Sequence, residues 1–246
     1  MKKAIKTVGY SAVLTVLLAS LGAAPALAGV AGSKHDLSIT GVAAGGGNNG
    51  FISTDQTEIC IFCHTPHSAL KNDNIPLWNK TLSAVANYGS YTSPTFQGGA
   101  NGVTGVTNAS TGEGASVSNL CLSCHDGTIA FNSLANPSNA RPTTTFAAGK
   151  DKMTGTALLG SAADALANDH PVNFTYNAAL ASTDGSLTSP VGDVVNRAGY
   201  GTVQLYGGKV QCASCHDPHT SADPTGKAFL RVTMDASKLC QVCHVK

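Results

Sequence analysis

The hydrophobic residues form one continuous run near the N-terminus and are scattered along the rest of the chain. Residues 11–23 are almost entirely apolar, and three lysines precede them. This run is too short to cross a bilayer comfortably, and an Ala-Leu-Ala sequence ending at Ala28 resembles a signal-peptidase site. The pattern predicts a cleaved secretory signal peptide over residues 1–28 rather than a retained membrane anchor. The mature chain, residues 29–246, is then expected to be one exported, soluble domain.

Downstream, the polar and apolar pattern favours only short elements. Asp55, Ser118 and Asp235 are helix-capping residue types that each shortly precede a pair of cysteines, and they predict short helices there. The sequence VQLYGGKVQC favours a small hairpin that turns at Gly207 and Gly208. Regular structure is therefore expected to be sparse.

The segment 84–118 is rich in Gly, Ser, Thr and Asn and predicts a loop, in which Tyr88, Tyr91 and Phe96 are available for packing. Composition points the same way, because the chain has 27 glycines and only 6% aromatic residues. Such a chain can form only a thin core of its own. The expected fold is mostly irregular loop with short α-helices and few or no β-strands, built around bound groups that supply the missing apolar bulk.

The charge balance excludes an electrostatic nucleic-acid binder. Without the three lysines of the signal segment, the 15 basic residues fall to 12, against 14 acidic residues, which leaves a formal charge of −2. No basic stripe is present to neutralise phosphates. We therefore expect no nucleic-acid partner.

The eight cysteines form four C-x-x-C pairs, and a histidine directly follows every pair. This is the attachment signal of c-type haem, in which two thiols bond one porphyrin edge and the next histidine binds iron. Disulfides or zinc sites would also use cysteine pairs, but neither explains a histidine after each one. The prediction is four covalently attached haem c groups, at Cys60, Cys63 and His64, at Cys121, Cys124 and His125, at Cys212, Cys215 and His216, and at Cys240, Cys243 and His244.

Four further histidines remain: His35, His67, His170 and His219. Since four irons each need a second axial ligand, we expect bis-histidine ligation of every haem. Histidines outside the motifs can also be ordinary surface or loop residues, as His35 and His170 would then be. Met153 and Met234 are less favoured thioether ligands, because methionine more often fills gaps.

Two of these histidines lie three residues after a motif histidine, in CHDPH and CHTPH. An imidazole so close in sequence cannot easily reach the opposite face of the same ring. His219 and His67 are therefore expected to bind the iron of another haem.

Saturated irons would leave no open coordination position for a substrate, which argues against a haem enzyme. The sequence carries no Ser/His/Asp set, and the glycines at 45–47 precede no helix pattern and predict a linker rather than a phosphate loop. The remaining chemistry is one-electron transfer, so we expect an electron carrier. A haem enzyme, or a redox subunit docked to one, is the alternative of a different class.

Five stretches carry a resemblance to a known family: SKHDLS, CIFCHTPH, CLSCHDG, NDHPVNFTY and the C-terminal doubled C-x-x-C-H module. In order and number they resemble the OmcE-like tetrahaem c-type cytochromes, outer-surface proteins of metal-respiring bacteria. That resemblance implies extracellular filaments, upstream redox cytochromes as donors and external acceptors such as metal oxides. It also implies that His67 binds a haem of the neighbouring subunit, that of His244 or an adjacent one. A monomeric periplasmic shuttle with the same haems is the alternative.

Overall fold

The structure is a computed structural model that describes residues 29–42, 50–70, 77–105, 115–138, 144–220 and 229–245. The expected signal peptide, the linker at 45–47 and the middle of the predicted loop, 106–114, lie outside these residues. All eight cysteines and all eight histidines lie within them.

Helices in the described residues are short, and three of the four α-helices contain a cysteine pair. The α-helices are α1 (Val117–His125), α2 (Ala178–Asp184), α3 (Cys212–Cys215) and α4 (Lys238–Cys243). Single turns of 3-10 helix occur at Ile39–Val42, Cys60–Phe62, Gly155–Ala157 and Asp235–Ser237. Within the described ranges no helix combines the length and apolar character needed to cross a membrane.

Helical turns begin near two of the three predicted positions, although neither Ser118 nor Asp235 is itself the capping residue. Helix α1 begins at Val117, and the Ser116 N–H donates to Asn119 Oδ1 at 2.7 Å across the first turn. Asp235 opens the 3-10 turn that leads into α4. The prediction at Asp55 is wrong: its carboxylate accepts from Ser53 Oγ at 2.8 Å and from the Thr145 N–H at 3.0 Å. Asp side chains often bind nearby backbone or hydroxyl groups in turns, and here that competes with capping.

Four short strands form two small antiparallel sheets in the described chain. Strand β1 (Phe174–Thr175) pairs with β4 (Lys209–Val210), and β2 (Val194–Arg197) pairs with β3 (Gly201–Gln204). In the first sheet Phe174 lies opposite Val210, and in the second Val195 lies opposite Val203. All four of these side chains are buried.

The predicted small hairpin with its turn at Gly207 and Gly208 is confirmed, although its pairing is limited to one bridge. Both glycines have positive φ, 59° and 70°, as a two-residue type I′ turn requires. Only Tyr206 and Lys209 bridge across the turn, because the next residues pair with β1 instead. Pairing with β1 buries Val210 against Phe174, which a continued hairpin would not do.

The protein core is divided into small clusters. The largest surrounds the two sheets and α4, and its fully buried members are Phe174, Tyr176, Val195, Val203, Leu205, Val210 and Val242. A second cluster joins α1 to the predicted loop, through Tyr88, Val103, Leu122 and Leu166. Tyr88 is completely buried, so the part of this loop that the structure describes around it is packed rather than free.

A matched pair of valines tests the largest cluster. Val195 in β2 is 0% exposed, whereas Val191, which bridges to Val194 beside it, is 85% exposed. We expect Val195→Ala to lower the free energy of unfolding by about 2 kcal/mol, since it removes two buried methyl groups and leaves a cavity. Val191→Ala should change it by less than about 0.5 kcal/mol. Denaturant unfolding of the haem-loaded protein measures both, and equal losses in the two variants would contradict this packing.

Candidate metal centres

Each cysteine motif forms a single turn that presents its thiols and its imidazole together. In three motifs the histidine N–H donates to the carbonyl of the first cysteine: His64 to Cys60 at 2.8 Å, His216 to Cys212 at 3.1 Å, and His244 to Cys240 at 2.9 Å. The motif of residues 121–125 ends helix α1. None of the eight cysteines forms a disulfide, so all are available for attachment.

Three of the four motif histidines face a histidine from a distant part of the chain. Ring centroids lie 6.2 Å apart for His125 and His35, 5.9 Å for His64 and His219, and 6.5 Å for His244 and His170. In each pair one histidine belongs to a motif and the other does not. Six of the eight predicted histidine ligands therefore form three pairs.

The spacing within the pairs fits two imidazoles on opposite sides of one metal ion. Metal–imidazole bonds are about 2 Å long, so two such rings have centroids about 6 Å apart. Ordinary aromatic contacts also occur near this distance. They do not account for a motif histidine meeting a non-motif histidine in all three pairs.

Hydrogen bonds fix which ring nitrogen is available in three of the histidines. Nδ1 of His125 donates to the Ala157 carbonyl at 2.7 Å, and Nδ1 of His170 donates to the Pro171 carbonyl at 2.9 Å. Nδ1 of His219 lies 3.3 Å from Asp217 Oδ1. Metal-bound histidines commonly use their second nitrogen this way, which leaves Nε2 for the metal.

The side chain of His35 is partly buried, and its surroundings disfavour the protonated form. Burial, followed by the neighbouring His125, lowers the pKa of His35 to about 4. Phe229 packs against its ring, with centroids 4.4 Å apart. A neutral imidazole is the form that binds metal.

The buried polar side-chain atoms without a hydrogen-bond partner supply an independent test of the fit. In the described residues there are three: His35 Nδ1, Trp78 Nε1 and Thr188 Oγ1. Trp78 contacts the ring of His64 at 5.8 Å, and the Thr188 N–H donates to the Cys243 carbonyl at 2.8 Å. Unsatisfied buried groups are costly and rare in folded proteins. All three lie beside a motif or its facing histidine, so the residues present fit a polar-edged group such as haem.

The two remaining histidines, His67 and His216, have exposed side chains and form no ring pair with another histidine in the described part of the chain. Partial burial, followed by the nearby His125, lowers the pKa of His216. The carbonyl of His67 accepts from Thr65 Oγ1 at 2.9 Å and from Asn136 Nδ2 at 2.7 Å. Its backbone is therefore anchored while its imidazole faces solvent.

Thiols of successive motifs lie close to each other. Cys121 and Cys212 share a hydrogen bond, which lowers the pKa of Cys212 to about 7. Cys63 interacts electrostatically with Cys124, and Cys215 with Cys243. Ser118 Oγ fixes the middle junction by donating to Gln211 Oε1 at 2.5 Å and accepting from the Cys212 N–H at 3.1 Å. The cysteines that would attach successive haems are therefore neighbours in space, in the same order as the motifs along the chain.

A family model for the doubled CXXCH motif matches residues 206–246, which contain the third and fourth motifs. The match points to the multihaem c-type cytochromes. Its CXXCH motifs indicate covalently bound haem c and suggest electron transfer rather than catalysis. Cytochromes of this type are typically exported. No curated protein matches the chain.

The remaining ligand alternatives gain no support from the geometry. In the described ranges, no group of three or more Cys, His, Asp or Glu side chains is arranged to hold a metal ion. Met153 and Met234 face none of the motif histidines through a contact that the structure records. Sequence reasoning missed Trp78, Phe229 and Asp126 as neighbours of the centres. Trp78 is the chain's single tryptophan, and Asp126 directly follows a motif, so both carried some signal.

The pairing of His170 with His244 can be tested directly. We expect His170→Ala to convert one haem from low-spin to high-spin, because it removes the imidazole that faces His244. Absorption and electron paramagnetic resonance spectra of the purified protein measure the change. The control is Asp169→Asn, an exposed neighbouring substitution, which should leave every haem low-spin. A wholly low-spin spectrum for His170→Ala would contradict the pairing.

Proposed function

We propose that this protein is a tetrahaem electron carrier of the OmcE-like type, whose subunits join into an extracellular conducting filament. The observation that carries the proposal is the arrangement of the eight histidines: three facing pairs, and one exposed histidine of each kind left over. A self-contained monomer with four bis-histidine haems would be expected to pair the last two as well.

The proposed carrier function rests on the proximity of the motifs. Bound haem supplies reversible one-electron oxidation and reduction at its iron. The chain's own residues attach the four groups in an order in which each attachment edge neighbours the next. Such an order supports a continuous path for electrons from haem to haem through the subunit. At three of the four proposed haems the paired imidazoles would leave no position for a substrate, and His67 of a neighbouring subunit would fill the fourth, which is why we favour a carrier over a haem enzyme.

The joining of subunits would use the two unpaired histidines. His67 would supply the axial ligand to the neighbouring subunit, as the resemblance implies. The facing pairs favour the iron of the His216 haem as the one that it binds, rather than the iron of the His244 haem. His244 already faces His170 within the subunit, whereas His216 is exposed. In a repeating polymer each subunit gives one ligand and receives one, so all irons along the filament would be bis-histidine.

An anchored ligand suits this role. Because Thr65 and Asn136 hold the His67 carbonyl, little backbone freedom remains to be lost when the imidazole binds a second subunit. The physiological setting we propose is the cell exterior, with upstream cytochromes as donors and external acceptors such as metal oxides. A monomeric periplasmic shuttle is the competing form, and it would need another ligand for the haem of His216.

His67→Ala tests the filament. We expect it to abolish filaments in negative-stain images and to leave one haem per subunit high-spin, while the three internally paired haems stay low-spin. Glu58→Ala, an exposed substitution shortly before the same motif, is the control and should assemble normally.

Other outcomes separate the remaining functions. Filaments of His67→Ala would exclude its role as the intersubunit ligand. Wild-type protein that stays monomeric with four low-spin haems would identify the shuttle. A high-spin ferric band in the assembled wild-type protein would instead identify an open iron and favour a haem enzyme.

A further inference from the structure

Lys80 is a buried cation at the junction of the first two motifs. Its side chain is 1% exposed, and its Nζ donates to the Ala130 carbonyl. Lysine is almost never fully buried unless it is paired, since removing an ammonium from water is costly. Burial accordingly lowers the pKa of Lys80 from its ordinary value.

Backbone contacts hold Lys80 in this place from both sides. The preceding residue, Asn79, donates its N–H to the Cys63 carbonyl at 2.8 Å and its Nδ2 to the Ile61 carbonyl at 2.7 Å. Lys80 itself bridges to Leu134, and its ammonium reaches Ala130, just beyond the second motif. The residue thus spans from the first motif to the segment after the second.

The ammonium is close enough to both motifs to act on their thiols. Lys80 lowers the pKa of Cys63 and of Cys124, opposing the rise that burial causes in each. When these sulfurs are thioethers to a porphyrin they carry no charge, so they cannot neutralise the ammonium. The positive charge then faces the two attached groups.

Asp126 is the acidic residue that interacts with Lys80. Its carboxylate accepts from Tyr88 Oη at 2.7 Å, from Thr128 Oγ1 at 2.8 Å and from the Thr128 N–H at 2.7 Å. It also acts on Cys124. The cation is therefore partly offset by this carboxylate.

We propose that Lys80 is a positioning residue for electron flow, whose buried ammonium raises the reduction potentials of the haems attached at Cys60/Cys63 and Cys121/Cys124 relative to the other two. This inference rests on the proposed carrier function. Reduction removes one positive charge from each centre, so a nearby fixed cation favours the reduced state.

The test is potentiometric titration of haem-loaded protein with Lys80→Met, a neutral side chain of similar length. The reduction potentials of two of the four haems should fall. The larger of the two shifts should be at least about 59 mV, which is a tenfold change in the equilibrium constant for one-electron reduction. Lys80→Arg keeps the charge and should titrate like the wild type. Lys152→Met removes an exposed cation and should move no component.

Three results would overturn the inference: unchanged potentials in Lys80→Met, an equal shift of all four components, or the same shift in Lys152→Met. If Lys80→Met fails to bind four haems, Lys80→Gln retains a donor for the Ala130 carbonyl and takes its place. Failure of both neutral variants while Lys80→Arg loads fully would assign Lys80 to folding and also overturn it.

The wild-type titration separates this inference from the carrier function beneath it. Fewer than four low-spin haems in the assembled wild type would contradict the tetrahaem proposal itself. Four low-spin haems with potentials that do not respond to Lys80→Met would contradict only the role of Lys80.

Discussion

The distance between facing imidazoles is the constraint on which the rest of this structure depends. Each facing pair joins segments far apart in sequence, as His64 with His219 shows, and so closes a long loop. Bringing such distant segments together costs entropy that the small apolar clusters alone are poorly placed to offset. Covalent attachment and axial ligation would supply this closure, which explains why long irregular segments can be ordered around so little helix and sheet.

The chemistry of the centres could be predicted from the sequence, because C-x-x-C-H spacing encodes it within five residues. The number of spare histidines likewise indicated two imidazoles per iron. Which histidine faces which could not be predicted, since that depends on how remote loops pack. The same difference appears in the elements: the glycine turn at 207–208 is local and was predictable, whereas the partner of the strand after it was not. Asp55 was wrongly predicted to cap a helix, because its carboxylate instead accepts a hydrogen bond from the backbone N–H of Thr145, which is distant in sequence.

A small number of charged side chains in the described residues are buried rather than exposed. The chain has few charged residues, yet Lys80 and Asp126 are both buried near the first two motifs. Nothing in the sequence marks Lys80, which stands in an ordinary polar stretch; its importance follows only from burial and position. In a medium of low dielectric constant one such charge acts more strongly than many exposed ones.

The contact between His35 and Phe229 has a consequence for how the molecule matures. Synthesis proceeds from the N-terminus, so His35 emerges long before the aromatic ring that packs on it. The packing around His35 is therefore completed only after most of the polypeptide has been made. Three of the four cysteine pairs precede Phe229 in the chain, so their thiols are synthesised before this contact can close.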